Sequence, residues 1–156
     1  GTEGKDFVLF FNSRNIRRKN IPDTLLAWKY FLDQLPKEKA DKCLFILHTE
    51  LVSEHGTDLQ AVVNTIFGEN SPNIKFSLNK LSSQHLNYLY NLADAQILLT
   101  SNEGWGLSLT EALLTGTPII ANVTGGILIM TFHLTIEVLI KNMANGHILY
   151  IQQHVL

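Results

Sequence analysis

Cysteine is almost absent from the 156-residue sequence, because Cys43 is its single representative and no internal disulfide can form. Cys43 opens an apolar run, which favours a buried thiol over a reactive one. The six histidines form no H-x3-H pair, and no cysteine cluster accompanies them, so we expect no zinc site. The sequence also lacks a D-x-D motif. We therefore predict a protein that requires neither a metal nor a cofactor.

Long apolar runs are also missing. No stretch of 18 uncharged apolar residues is present, so no membrane-spanning helix is expected and membrane association is not indicated. The opening segment GTEGKDFVLFFNS lacks the basic region that precedes the apolar core of a signal peptide. These two absences favour a cytoplasmic location.

The sequence is also poor in charge of either sign. Charged residues make up 17% of the chain and the net charge is −2, which excludes a global basic field for nucleic acid. The first apolar run is not followed by G-x-G-x-x-G, which disfavours a dinucleotide site. The G-x-S-x-G motif of serine hydrolases is missing as well. A site for an anion must therefore be local.

The segments that are present alternate between short apolar runs and amphipathic stretches. We predict strands at 7–13, 43–49, 74–78, 96–101 and 118–123, and helices at 22–35, 57–67, 82–93 and 107–114. In the helix at 82–93, the apolar face consists of Leu86, Leu89, Tyr90 and Ala93. Regular alternation with short connections predicts an α/β fold, a Rossmann-like doubly wound parallel sheet in one domain of residues 1–156.

Right-handed crossovers place the carboxyl ends of all parallel strands at one edge, and ligands bind outside that edge. The loops of interest are 13–21, 48–57, 79–82, 101–106 and 123–127. The loop Glu103-Gly104-Trp105-Gly106 joins a strand to a helix that carries Glu111 in its second turn. Both carboxylates can face one crevice, with helix N–H groups beside them. The alternative is a solvated loop glutamate and a helix glutamate that favours the macrodipole.

The segment EGWGLSLTEALLTGTPIIANVTGG resembles the E-x7-E signature of retaining group 1 glycosyltransferases of the GT-B fold. The resemblance covers about residues 7–126 and implies the C-terminal, donor-binding domain. It implies that Glu111 holds the ribose hydroxyls, that Glu103 contacts the transferred sugar, and that loop amides contact the diphosphate or sugar. The substrate-binding candidates on this loop and the following helix are Gly104, Trp105, Gly106, Leu107 and Ser108.

The basic segment SRNIRRKN supports the same resemblance, because the family places Arg at the end of the first strand and Lys five positions later. Arg14 and Lys19 match that spacing and would grip the donor diphosphate, so they join Glu103 as catalytic candidates. The sequence departs from the family at Ser13 and at Asn20, where glycine is common. Arg17 and Arg18 are expected to be solvated.

Two candidate residues have alternative interpretations. His48 ends the second predicted strand and either contacts a phosphate or the base, or has a capping or packing role. Trp105 either stacks on a sugar ring or packs within its loop. The base contacts are expected from backbone around Ser77 to Leu81.

The resemblance implies a hexosyltransferase that moves a sugar from a nucleotide-diphosphate sugar to an acceptor hydroxyl with retention. Its acceptor-binding N-terminal domain would be a missing partner, and the isolated domain would be inactive. The alternatives are a non-catalytic nucleotide-sugar-binding module and a GT-B sugar epimerase. Residues 127–156 depart from the family pattern as an atypical tail. Its alternation predicts either a strand within 132–140 with a hairpin at Asn145-Gly146, or an amphipathic helix over the same segment.

Overall fold

A computed structural model describes residues 2–69, 71–122 and 124–127 of the protein. The strand and hairpin predicted in the tail lie outside these residues. Within the described ranges, no helix combines the length and apolar character needed to cross a membrane.

One sheet of five parallel strands forms the centre of the fold, in the order β3-β2-β1-β4-β5. The order reverses direction between β1 and β4, which is the arrangement of a doubly wound sheet. This confirms the predicted α/β, Rossmann-like architecture. The strands are β1 Phe7–Asn12, β2 Cys43–His48, β3 Ile74–Ser77, β4 Ala95–Leu98 and β5 Ile119–Ala121.

Helices connect successive strands. They are α1 Ile21–Asp33, α2 Lys37–Ala40, α3 Leu59–Phe67, α4 Ser83–Leu92 and α5 Leu107–Leu114, and a 3-10 turn at Arg17–Lys19 precedes α1. The 3-10 turn and α2 were not predicted. Side chains cap two of these helices at the N-terminus: Asp58 accepts a hydrogen bond from the Ala61 N–H and Ser82 accepts one from the His85 N–H.

The core has two sides, because alternate residues of a strand point to opposite faces of the sheet. Leu9 and Phe11 of β1 belong to a cluster with Leu25, Trp28 and the buried residues of α3. Val8 and Phe10 belong to a second cluster on the opposite face, together with Tyr90 of α4 and Ala112 of α5. Three layers therefore hold β1 and its carboxyl end in a fixed position.

All five strands end one to three residues earlier than predicted, and the difference is largest at β4. β4 ends at Leu98 because the chain then leaves the ladder: the Thr100 N–H donates to the Asn122 side chain and the Ser101 N–H donates to the Arg18 carbonyl. The buried face of α1 is narrow, since Leu26 and Phe31 are each 40% exposed. The bonds of residues 100 and 101 tie the end of β4 to the loop after β1.

Candidate functional site

A cleft of about 660 Å³ lies at the carboxyl edge of the sheet. It crosses the ends of β1, β2 and β3 and reaches the start of α5, which is where ligands bind in doubly wound folds. Its lining residues are Asn12, Ser13, Arg14, Lys19, His48, Thr49, Glu50, Ser77, Leu78, Asn79, Lys80, Leu86, Glu103, Leu107, Ser108 and Glu111.

The loop after β1 carries Arg14 at the exposed rim of the cleft and Lys19 in its wall, where Lys19 is 6% exposed. The 3-10 turn ends at Asn20, whose φ is 46° and whose N–H donates to the Arg17 carbonyl. This is the left-handed region, which glycine adopts most easily and asparagine tolerates. Asn20 therefore adopts the left-handed backbone conformation at the position where glycine is common in the family that the sequence resembles.

A buried asparagine holds this loop against the loop after β2. The Asn15 side chain donates to the carbonyls of Glu50, Leu51 and Thr57, and its Oδ1 accepts from the Thr57 N–H. The Asn15 N–H donates to Glu50 Oε2 at 2.8 Å. The sequence does not indicate this role of Asn15, because one asparagine in a basic loop looks like an ordinary turn residue.

We expect Gly56→Ala to destabilise this clamp. A Cβ at position 56 would lie 2.2 Å from Asn15 Oδ1 and 2.3 Å from the Asn15 carbonyl oxygen, so buried, hydrogen-bonded atoms would have to move. The expected loss is about 1–3 kcal/mol in the free energy of unfolding, measured by urea denaturation. Gly104→Ala is the control, since a Cβ there has no atom within 4 Å. Equal stability of the two variants would contradict the prediction.

Lys19 and Glu103, which both line the cleft, form an ion pair, and Arg18 Nη1 lies 3.0 Å from the same carboxylate oxygen. Burial raises the pKa of Glu103, but hydrogen bonds and charge from Lys19 and Arg18 outweigh burial and leave its pKa below the ordinary value. Burial lowers the pKa of Lys19, and its hydrogen bond to Glu103 partly opposes this. The result is a carboxylate held ionised between two cations.

Arg18 is only partly solvated, whereas the sequence predicts a solvated side chain. The side chain is 40% exposed, and its Nη1 donates to the Asn102 carbonyl at 2.6 Å and to Glu103. The Arg18 carbonyl also accepts from Thr100 Oγ1 and from the Ser101 N–H. The spacing that identifies Lys19 contains no signal for this contact, which depends on the β4–α5 loop crossing beside β1.

Two glycines after β5 support the loop that carries Glu103. The Gly126 N–H donates to the Glu103 carbonyl at 2.7 Å, and a Cβ at Gly126 would lie 1.8 Å from the Gly104 carbonyl oxygen. Gly125 has a φ of 52°, in the left-handed region. Because Gly125 and Gly126 have no side chains, the backbone after β5 can contact the backbone of the loop that carries Glu103.

Glu111 is held differently from Glu103. Its Oε2 accepts a hydrogen bond of 2.6 Å from the Tyr90 hydroxyl, and that hydroxyl accepts one of 2.8 Å from the Asn12 side-chain amide. The sequence pattern predicts Tyr90 only as part of the apolar face of its helix. A tyrosine in an apolar stripe signals a hydroxyl that needs a partner, but the sequence does not identify the partner.

His48 lies at the end of β2 and lines the cleft. Its Nδ1 is 2.9 Å from the Ser77 carbonyl oxygen and 3.0 Å from Ser77 Oγ, so the ring bridges the ends of β2 and β3. The structure thus places His48 in a strand-bridging position while one side of it borders the cleft. The role proposed for it from sequence stays a prediction.

The predicted loop residues divide into two groups. Leu107 and Ser108 line the cleft together with the two glutamates. Gly104, Trp105 and Gly106 do not belong to the lining. Trp105 is 54% exposed, and its Nε1 donates to Thr110 Oγ1 at 3.0 Å, which directs the indole along α5. Gly106 is buried with a φ of 85° and serves as the turn into the helix.

The lining brings together three cations and three carboxylates: Arg14, Lys19, Lys80, Glu50, Glu103 and Glu111. Cations at one wall suit phosphate oxygens, and carboxylates suit hydroxyl donors. Lys80 and Glu50 were not predicted as site residues. Among the residues described, no group of three or more His, Cys, Asp or Glu is arranged to hold a metal ion.

Comparison with solved structures gives several matches with this fold. The glycosyltransferase WaaG, involved in lipopolysaccharide biosynthesis, has a TM-score of 0.62 and 17% identity over 80% of this chain and 30% of its own. An E. coli structure described as trehalose-6-phosphate bound with UDP-2-fluoro glucose has a TM-score of 0.68 and 16% identity over 86% of this chain and 32% of its own.

The C-terminal domain of LpcC from Francisella tularensis, a glycosyl transferase group 1 family protein, has a TM-score of 0.61 and 18% identity. The match covers 75% of this chain and 58% of that domain. This chain thus spans about a third of the two longer relatives. A search of curated protein sequences gives no match.

The profile of one protein family, described as glycosyl transferases group 1, matches residues 1–143. That range includes every strand and helix in the described part of the chain and all the residues that line the cleft. The solved structures named above share the Rossmann-like fold of GT-B glycosyltransferases. The chain therefore belongs to the group 1 glycosyltransferase family and has the GT-B type of α/β fold.

Proposed function

We propose that this chain is the donor-binding half of a retaining glycosyltransferase. It binds a nucleotide-diphosphate sugar, and the complete enzyme transfers the hexosyl group to an acceptor hydroxyl. The observation that carries the proposal is the convergence of Arg14, Lys19, Glu103 and Glu111 on one cleft at the carboxyl edge of the sheet.

The diphosphate lies between the loop after β1 and the start of α5. Arg14 at the rim can bind phosphate oxygens in a bidentate manner, and Lys19 supplies a second charge from the wall. The first N–H groups of α5 have no partner inside the helix and favour an anion. Together they stabilise the charge that develops when the diphosphate leaves.

The two glutamates bind the two ends of the donor. Glu111 accepts hydrogen bonds from the ribose hydroxyls, and Glu103 faces the transferred sugar. Lys19 can contact both the sugar-binding glutamate and the diphosphate, because it is paired with Glu103 and lines the same cleft as Arg14.

In the transfer step, the bond from the anomeric carbon to the diphosphate breaks, and both of its electrons leave with the diphosphate. The acceptor hydroxyl oxygen attacks from the same face and its proton passes to the departing diphosphate oxygen, so the configuration is retained.

Transfer requires a second domain. The chain spans 30% of WaaG and 32% of the UDP-2-fluoro glucose complex, and the LpcC structure is a C-terminal domain. We infer that this chain corresponds to a C-terminal half and that an N-terminal half binds the acceptor. The isolated chain therefore binds donor but transfers no sugar.

The direct test is calorimetric titration of the 156-residue chain with UDP, GDP and ADP and with their glucose conjugates. We expect saturable binding of at least one nucleoside diphosphate and its sugar conjugate at a single site. Cross-saturation in NMR spectra should locate the ligand beside Lys19 and Ser108. Absence of binding to the whole panel, or binding distant from the cleft, would contradict the proposed function.

We also expect donor binding to be independent of divalent metal. The cations at the cleft are side chains, and the sequence has no D-x-D motif. The dissociation constant of the preferred nucleotide-sugar should stay within about twofold in EDTA, since no metal would bridge the carboxylates and phosphates. A large loss of affinity in EDTA that magnesium or manganese restores would show that the site requires a metal.

A further inference from the structure

The carboxylate of Glu111 is connected to the end of β1 through a tyrosine on a different helix. Asn12 Nδ2 lies 2.8 Å from the Tyr90 hydroxyl oxygen, and that oxygen lies 2.6 Å from Glu111 Oε2. The three residues come from β1, α4 and α5. Asn12 and Glu111 line the cleft, whereas Tyr90 is 2% exposed and lies behind them.

The direction of both hydrogen bonds is fixed by chemistry. An asparagine Nδ2 can only donate, so the Tyr90 oxygen accepts from it and must point its own hydrogen elsewhere. That hydrogen points to Glu111, whose carboxylate Oε2 accepts it at 2.6 Å. Asn12 therefore orients the Tyr90 hydroxyl, and Tyr90 in turn fixes Glu111 Oε2. Burial, the largest cause, and the hydrogen bond to Glu111 raise the pKa of Tyr90, so the hydroxyl keeps its proton at neutral pH.

The tyrosine itself is held rigidly. Its ring meets Phe10 of β1 edge-on, with centroids 5.1 Å apart, and it belongs to the buried cluster on that side of the sheet. Its backbone carbonyl accepts a hydrogen bond of 2.8 Å from Thr117 Oγ1. A rigid donor that reaches a cleft carboxylate from the core side is the arrangement that holds a binding group in one rotamer.

We propose that Tyr90 is a positioning residue for donor binding: it holds Oε2 of Glu111 from behind and so directs Oε1 toward the ribose hydroxyls. The inference rests on the proposed function, because it assigns to Glu111 the ribose of a nucleoside diphosphate. It adds a residue that touches no substrate. Asn12 acts one step further back, by setting the direction of the Tyr90 hydroxyl.

The test is a double-mutant cycle on the 156-residue chain with Tyr90→Phe, Glu111→Ala and the double variant. The probe is whichever of UDP, GDP and ADP the parent binds most tightly. We expect Tyr90→Phe to weaken binding about tenfold, the scale of a lost charge-assisted hydrogen bond. In the Glu111→Ala background it should have almost no further effect, because the group that it positions is gone.

A second measurement separates positioning from a general loosening of the fold. The parent should prefer the ribose nucleotide over its 2′-deoxy or 3′-deoxy form, and Tyr90→Phe should reduce that preference. Tyr88→Phe is the matched control, since Tyr88 lies on the same helix, is exposed, and bonds to Gln84. The control should keep both the affinity and the preference of the parent, and thermal unfolding should show that all variants are folded.

Two results would overturn the inference while leaving the proposed function intact. One is an affinity of Tyr90→Phe within twofold of the parent. The other is a full additional loss when Tyr90→Phe is combined with Glu111→Ala. If the parent binds no nucleoside diphosphate at all, the proposed function fails and the inference fails with it. The parent titration therefore distinguishes the two failures.

Discussion

Replacement of Lys19 by alanine is expected to weaken nucleoside diphosphate binding about 10- to 100-fold, the range of one to two charge-assisted hydrogen bonds. Lys19 is almost fully buried in the wall of the cleft and is held there by Glu103. A cation in that position is poorly screened by solvent, so its attraction for phosphate is stronger than that of a surface lysine. The dissociation constant measured by calorimetry tests the expectation.

The loss has a second component. Without Lys19, the Glu103 carboxylate keeps Arg18 as its partner but faces the diphosphate with one cation fewer. The net charge of the cleft then becomes less favourable for a polyanion. Arg14→Ala should also weaken binding, but its exposed position at the rim gives a smaller effect.

Arg17→Ala is the matched control for both variants. Arg17 lies on the same loop and carries the same charge as Arg14, but it is exposed and does not line the cleft. Its removal should change the dissociation constant less than twofold. Equal and small effects at positions 14, 17 and 19 would indicate a diffuse basic patch instead of a diphosphate site.

The sheet and its binding edge could be predicted because both depend on local patterns. Apolar runs of five to seven residues, such as CLFILHT, identify strands that are buried on both faces. Regular alternation with helices then fixes the parallel topology and the edge where loops gather. Glu103, Lys19 and Glu111 could therefore be assigned to one edge before any distance was known.

The contacts among those residues could not be predicted, because they join segments that are far apart in sequence. Arg18 meets Glu103 across 85 positions, and Asn12 meets Tyr90 across 78. Neither contact leaves a periodic signal. The first depends on the distance between the loops after β1 and β4, and the second depends on how α4 packs against β1. Asn15 and Gly56 are another such pair, since the Asn15 side chain fits only where residue 56 has no Cβ.

The second large effect concerns the two glutamates, which we expect to divide the donor between them. Glu111→Gln should weaken both the bare nucleoside diphosphate and the nucleotide-sugar about tenfold, because both ligands contain the ribose. Glutamine can still accept a hydrogen bond from the Tyr90 hydroxyl, so the hydrogen bonds from Asn12 to Tyr90 and from Tyr90 to residue 111 persist. The measurement therefore reports the loss of the charge. The side chain stays on the same helix face.

Glu103→Gln should affect the nucleotide-sugar about tenfold and leave the bare nucleotide within about twofold of the parent, since the bare nucleotide lacks the sugar. The structure adds a reason for the second part. Glu103 is paired with Lys19 and Arg18. Its neutralisation removes a negative charge that repels the diphosphate, which favours binding of the bare nucleotide. It also removes the partner that holds Lys19 in the cleft wall, which disfavours binding.

The measurement consists of four dissociation constants, two variants against two ligands, each compared with the parent. Glu54→Gln is the control for loss of one negative charge, because Glu54 is exposed and is not a lining residue. In a complete two-domain enzyme, Glu103→Gln should also lower kcat, since contacts to the sugar strengthen as positive charge develops on its ring. Equal losses of bare-nucleotide affinity in both variants would show that the division is wrong. Unchanged affinities in both would favour a solvated loop glutamate and a helix glutamate that interacts only with the macrodipole.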